Sequence, residues 1–193
     1  MQDITRLSEI WKAMPRNNDA DIKAADSFYD DNIMPLSAKR FIDMYGSNGE
    51  AYDLMFVTVG TSWQPIALSA LVKKPNCLVL IGTIGVQNNI EKALAFMEKM
   101  GFVPKAVEQI VVDKSESRAM LLKVKELCQK SDAKRKCIDI TGGTKAMAAA
   151  GAMIAASLDM DIFYVESNYL SVYRHPEPCS ERIVKLDRPQ DIE

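Results

Sequence analysis

Thr141-Gly142-Gly143-Thr144-Lys145 puts two hydroxyls, two glycines and an ammonium directly after the apolar run Cys137-Ile138-Asp139-Ile140 and directly before an alanine-rich segment. A strand, a glycine turn and a helix start in immediate succession make an anion site. Glycines accept φ > 0 and let a ligand approach the backbone, while the first N–H groups of the helix lack internal partners and carry the positive end of its dipole. Phosphate is the expected guest. The spacing is neither the Walker pattern nor the dinucleotide fingerprint Gly-x-Gly-x-x-Gly, which disfavours a nucleoside triphosphate or NAD. A second polar turn, Gly60-Thr61-Ser62-Trp63, follows the apolar run Leu54 to Val59. It offers two more hydroxyls and an aromatic face on which a base can stack.

The elements that must position these turns alternate. Strands are expected at Leu54 to Val59, Cys77 to Ile81, Val107 to Val112, Ile138 to Ile140 and Ile162 to Val165. Between them the pattern predicts helices from Pro65, over Asn88 to Met100 closed by Gly101, over Glu116 to Lys130, and from the Thr141 turn to about Leu158. Near-continuous apolar strands alternating with helices indicate an α/β fold, a Rossmann-like doubly wound and mostly parallel sheet. Ligands bind such sheets beyond the carboxyl ends of the strands, where strand order reverses, and an order 3-2-1-4-5 sets the two polar turns side by side.

The flanks differ from this domain, which is assigned to residues 51–193. Residues 1–50 read as a helical N-terminal appendage, with Ile4, Leu7, Ile10, Trp11 and Met14 at helical spacing, a break at Pro15 to Asp19, and a capped helix from Ser37 to Tyr45 ended by Gly46. Leu170 to Arg174 and Arg182 to Leu186 suggest a short C-terminal β extension on the edge of the sheet.

Composition narrows the partners. A formal charge of −2 over 193 residues, with nine acidic against six basic residues in the first fifty, makes long nucleic acid an improbable partner. Cys77, Cys128, Cys137 and Cys179 form no Cys-x-x-Cys pair and read as reduced thiols. No charged-then-apolar leader opens the chain, and the apolar run Ala146 to Leu158 is shorter than the roughly 20 residues of a membrane span, so a cytoplasmic protein without membrane contact is expected. No metal or cofactor pattern appears.

Structural explanations stand beside the functional ones. Thr61 or Ser62 can simply cap the helix starting at Pro65, and Trp63 can be core filler. Met147 and Met153 suit core packing. His175, in His-Pro-Glu-Pro, reads as a surface loop residue. Glu166, Ser167 and Asn168 suit turn formation as well as a binding rim. Asp139 is expected to point into the turn and accept from its N–H groups.

The string Asp139 to Met147, together with Val59-Gly60-Thr61-Ser62 and Pro65-Ile66, resembles the CRISPR-associated Rossmann-fold family, the CARF domains. The likeness spans about residues 53–168, and residues 1–50 find no counterpart in it. It implies a homodimer holding a ring of four or six adenylates, the second messenger of type III CRISPR antiviral defence, on its two-fold axis. Carried over residue by residue, Gly60, Thr61 and Ser62 contact phosphate or ribose. Thr141, Gly142, Gly143, Thr144 and Lys145 cradle the phosphates, and Met147, which closes the motif, joins the ligand-binding residues. Pockets beside Trp63 and the loop at Thr83 take adenines. Family members mostly carry an effector domain, and none is legible here. A fragment of a longer effector, a sensor working through a protein partner, and a ring nuclease therefore stay open. The last would use Ser62 to orient a ribose 2′-hydroxyl, Trp63 to enforce the twisted nucleotide and Lys145 to stabilise phosphoryl charge, without metal. Outside the family, an ordinary enzyme on a mononucleotide or sugar phosphate, or an interaction scaffold, remains.

Overall fold

The computed structural model describes residues 2–46, 51–113 and 117–192. Its helices are α1 (Gln2–Ala13), α2 (Asp19–Phe28), α3 (Met34–Tyr45), α4 (Gln64–Lys73), α5 (Gln87–Lys99), α6 (Ser117–Lys130) and α7 (Lys145–Ser157). The strands are β1 (Leu54–Thr58), β2 (Cys77–Gly82), β3 (Ala106–Val111), β4 (Lys136–Asp139), β5 (Asp161–Glu166), β6 (Tyr169–Leu170), β7 (His175–Pro176) and β8 (Arg182–Leu186). Glu116, expected to open the sixth helix, lies outside the described residues. Two compact units result: Met1–Ser47 with Ser167–Arg182, and Asn48–Glu166 with Ile183–Glu193. Leu170 to Arg174, expected on the edge of the sheet, thus cluster with the N-terminal helices, while the other expected segment, Arg182 to Leu186, forms β8.

The larger unit is α/β. Its sheet runs β3-β2-β1-β4-β5-β8, and the five strands from β3 to β5 are parallel, with registers such as Thr58 opposite Ile81 and Val57 opposite Asp139. This contains the expected order, extended by β8 at the β5 edge. Lys185 on β8 lies 2.7 Å from Asp161 at the start of β5, and Arg188 just beyond bonds to Asp159 and Asp191. All five residues of β1 are buried, as the central position demands. One face of the sheet (Leu54, Phe56, Val79, Ile81, Ile138, Ile162) packs on Met120 and Val124 of α6 and on Met147, Ala150 and Ile154 of α7. Each large side chain so enclosed contributes about 1.5–3 kcal/mol of burial. Helices α4 and α5 pack together, Trp63 meeting Phe96 with ring centroids 5.0 Å apart. Gly101, at φ 83°, ends α5 as expected. Because the chain passes from β1 outward to β2 and β3 and then returns to β4, the switch point lies between β1 and β4. Among the described residues no helix is long and apolar enough to cross a membrane.

The smaller unit departs more from expectation. Residues 20–36, to which the sequence analysis assigns no element, form most of α2 and a π-helical turn at Tyr29–Ile33 that runs straight into α3. Asn18 caps α2 by accepting from the Asp21 N–H at 2.9 Å. Ser37 does not cap α3; it is buried three residues inside and accepts from the Cys179 N–H at 3.2 Å. His175 is 9% exposed rather than a surface residue. On β7 its ring stands 4.1 Å from that of Tyr29 and 5.6 Å from that of Trp11, and apolar rings on both sides draw it inside. Asn168 is committed locally, its N–H to Ser180 and its amide to Glu177, both at 3.0 Å. All four cysteines are free thiols.

Candidate functional site

The two polar turns meet at the switch point by backbone contact. A Cβ added to Gly142 would lie 2.2 Å from the Thr58 carbonyl oxygen and 2.7 Å from the Gly60 nitrogen; one added to Gly60 would lie 2.7 Å from the Gly143 nitrogen. Only residues without a side chain allow this approach. The contact is fastened by Thr58, fully buried at the end of β1, whose hydroxyl donates to the Gly142 carbonyl at 2.8 Å. On the other side Asn89 of α5 donates to the Gly60 carbonyl at 2.9 Å, tying the first turn to the helix behind it. Neither residue was expected at the site. A hydroxyl ending an otherwise apolar strand was the available signal for Thr58, whereas an asparagine early in a helix looks like any surface residue.

Below the turn lies a carboxylate. Asp139 is 0% exposed, and its Oδ1 accepts both the Thr141 N–H at 2.8 Å and the Thr141 hydroxyl. That hydroxyl also accepts from the Val165 N–H at 2.7 Å, so Thr141 bridges β4 to β5 and its side chain is committed to the scaffold. Among the described residues no hydrogen bond reaches Asp139 Oδ2, and the nearby Ser69 hydroxyl donates to the Pro65 carbonyl at 2.9 Å. Burial raises the Asp139 pKa above 3.8, and neighbouring Ser69 and the Thr141 donors only partly counter it. The folded state therefore holds this proton more tightly than the unfolded chain. The resulting stability is full below the unfolded value of 3.8 and is lost as pH rises through the higher folded value. Asp139→Asn keeps an acceptor for Thr141 and is expected to abolish this decline and to match or exceed the parent in stability at neutral pH. Urea unfolding across about pH 4 to 8 checks it, and an unchanged slope in the variant contradicts the assignment.

The remaining candidates divide by exposure. Thr61 and Ser62 are exposed, and neither caps α4, whose N-cap position is Trp63, which makes no side-chain capping bond. Lys145 is exposed at the first position of α7, and Thr144 caps that helix by accepting from the Met147 N–H at 3.2 Å. Gly143 alone of the pair takes φ > 0, at 78°. Trp63, by contrast, is 5% exposed and packs on Phe96, so its ring forms the wall behind the turn, not a surface for a base. Met147 is buried under Gly143, whose added Cβ would touch its sulfur at 3.1 Å. Thr83, half-buried after β2, lies on the same rim because the strands are parallel. The surface left to a ligand is Thr61, Ser62, the glycine backbone, Lys145 and the first N–H groups of α7. That is an anion cradle with hydroxyls on one side and a cation on the other.

The family model of the Card1 CARF domain matches residues 64–184. The chain belongs to the CARF family. No curated protein matches it. Among solved structures, this CARF chain is similar to Can2 from Sulfobacillus thermosulfidooxidans in complex with cyclic tetra-adenylate, with a TM-score of 0.54, 17% identity, and coverage of 66% of this chain and 37% of that one. It is also similar to Enterococcus italicus Csm6 bound to cyclic hexa-2′-fluoro-hexa-dAMP, with a TM-score of 0.49, 14% identity, and coverage of 61% and 34%. The chain thus spans little more than a third of the length of these structures. At such identity the likeness to Can2 concerns the fold. The family match begins at residue 64 and so leaves out the Gly60 turn, which meets the matched segment at Gly142.

Proposed function

We propose that this CARF protein binds a cyclic oligoadenylate of four or six units on the two-fold axis of a homodimer, as a sensor in type III CRISPR antiviral signalling. The observation that carries this reading is the interlock of Gly60 with Gly142 and Gly143, which sets exposed Ser62 and Lys145 on one rim around a backbone built for phosphate. In this reading Thr61, Ser62 and the glycine N–H groups take phosphate and ribose oxygens, and Lys145 adds a charge-assisted bond. Thr58, Thr141, Thr144, Trp63 and Met147 hold the turns in place.

The dimer has its own support. Beyond Lys145 the remaining twelve residues of α7 contain no charge, and the helix is apolar on its outer face as well as its inner one. Ala146, Ala149 and Met153 are exposed, Met153 by 69%. A helix apolar all round asks for cover on both sides. A second copy on this stripe brings a second Lys145 to the same rim, and an isologous pair presents each turn twice to a ring with internal two-fold symmetry. Met153→Asp is expected to give a monomer in sedimentation and at least about tenfold weaker ring binding, because half the contacts leave with the partner. A Met153→Asp dimer would remove α7 as the interface.

Slow cleavage is consistent with the same geometry. A ribose 2′-oxygen held in line attacks the adjacent phosphorus, giving up its proton to water. The bond to the 5′-oxygen breaks, that oxygen takes up a proton, and a 2′,3′-cyclic phosphate remains. Ser62 orients the hydroxyl and Lys145 stabilises the phosphoryl charge. Titration calorimetry with cyclic tetra- and hexa-adenylate tests the binding, one ring per dimer being expected. One ligand per monomer would favour a conventional enzyme on a mononucleotide or sugar phosphate. Incubating labelled ring with excess protein in EDTA tests the cleavage, and an intact ring after hours removes that step.

A further inference from the structure

The sheet ends in an uncovered strand. β3 is its last member, and among the described residues no strand pairs with its outer side. Its inner side is fixed at both ends, where the Ala106 N–H donates to the Asn76 carbonyl at 3.1 Å and the Val112 N–H to the Gly82 carbonyl at 2.9 Å. Alternate residues of a strand face the same neighbour, so Ala106, Glu108, Ile110 and Val112 commit their backbone groups to β2. Val107, Gln109 and Val111 therefore present N–H and C=O outward. Side chains alternate likewise: Ile110 and Val112 join the cluster with Met120 of α6, while Gln109 and Val111 wall a cleft with Leu80 of β2 and Ile90 of α5. Every residue of β3 except Ile110 is exposed, Val107 by 40% and Val111 by 66%. Proline, lysine or a bulge commonly guards such an edge, and here Glu108 is the sole charge on the strand.

We infer that β3 pairs antiparallel with β3 of a second copy of this chain, about a two-fold axis at Gln109. In this register the strand is its own complement. Val107 comes opposite Val111, Glu108 opposite Ile110, Ala106 opposite Val112, and exposed Lys105 opposite exposed Asp113. The outward N–H and C=O groups of Val107, Gln109 and Val111 all find partners, because each of these residues then lies in a hydrogen-bonded pair. The valine pairs bury apolar surface on either side of two glutamine amides that can bond each other. Moving the axis to Glu108 would set that carboxylate against itself, and moving it to Ile110 would set Val107 against Asp113. At Gln109 the two Glu108 carboxylates stand only on the diagonal, roughly 7–8 Å apart, and repel weakly. The edge is separate from α7, which packs on β4, β5 and β1, so a dimer formed through α7 keeps a β3 edge on each copy and can extend into a chain of dimers. The pairing does not depend on the messenger.

One strand pair is small beside a standard interface, so a dissociation constant above about 10 µM is expected. Sedimentation of the full chain should give a mean mass at about 200 µM at least about twice that at about 1 µM, the concentration at which the Met153→Asp variant is read. At the higher concentration amide exchange should slow at Val107, Gln109 and Val111. Gln109→Pro deletes an N–H that β2 does not use, a change an edge strand accepts, and Val111→Lys sets an ammonium opposite Val107 and diagonal to Lys105 of the second copy. Each is expected to weaken the association at least about tenfold, whereas Glu108→Gln, by removing the diagonal repulsion, is expected to strengthen it about two- to fivefold. A mean mass that stays constant in both the parent and Glu108→Gln overturns the inference. So does a rise that survives Gln109→Pro or Val111→Lys, that Glu108→Gln does not enhance, or that leaves the three outward N–H groups exchanging as before.

Discussion

Gly142→Ala is expected to abolish cyclic oligoadenylate binding and to lower the melting temperature by roughly 4–8 °C, the shift for about 2 kcal/mol of overpacking in a chain of this size. The reason is backbone against backbone. The new Cβ would stand 2.2 Å from the Thr58 carbonyl oxygen and 2.7 Å from the Gly60 nitrogen, neither of which belongs to a side chain able to turn away. Relief requires the two turns to part, which breaks the bond from the Thr58 hydroxyl to the Gly142 carbonyl and separates the hydroxyls of the first turn from Lys145. Gly143 is constrained differently, by a φ of 78° above the pliable thioether of Met147, so the pair is not one redundant flexible hinge. Calorimetric titration together with a thermal melt reads both effects. A folded Gly142→Ala protein that bound the ring normally would show that the junction of the turns is not the binding site.

Lys145→Ala is expected to weaken ring binding by roughly 1.5–3 kcal/mol, about ten- to hundredfold, with little change in stability. Lys145 is exposed and makes no described hydrogen bond or ion pair, so its removal leaves nothing in the fold unpaired. The loss should shrink with added salt, since a charge-assisted contact at an exposed rim is screened. Lys145→Arg should recover part of the affinity, and titrations at two salt concentrations separate the charge from the shape of the side chain. Equal affinity of the parent and Lys145→Ala would remove the ammonium from the site.

Much of the scaffold was readable because it rests on short-range regularities. Apolar runs of strand length separated by helical periodicity required a parallel sheet, and Gly101 ended α5 at the predicted position. Asp139 pointed into its turn as expected, since a carboxylate two residues before an N–H has a local partner. Where burial depends on distant partners, the same reasoning missed. His175 was placed at the surface from its proline-flanked loop, yet rings from Trp11 and Tyr29, more than a hundred residues earlier, enclose it. Trp63 offered an aromatic face that Phe96 of α5 covers. Ser37 looked like a cap because nothing local indicated that the helix begins upstream, through a π turn.

From residue order alone came the α/β class, the position of the two polar turns after their strands, and the anionic nature of the expected ligand. These follow from periodicity and backbone chemistry that span a few residues. Packing assigned the rest: which hydroxyls face solvent and which staple the sheet, that Gly60 and Gly142 are needed for each other, and that Gln109 lines a cleft with residues of β2 and α5. Contacts between segments some eighty residues apart carry no local signal, because each partner is compatible with many surroundings until the strands are set in order.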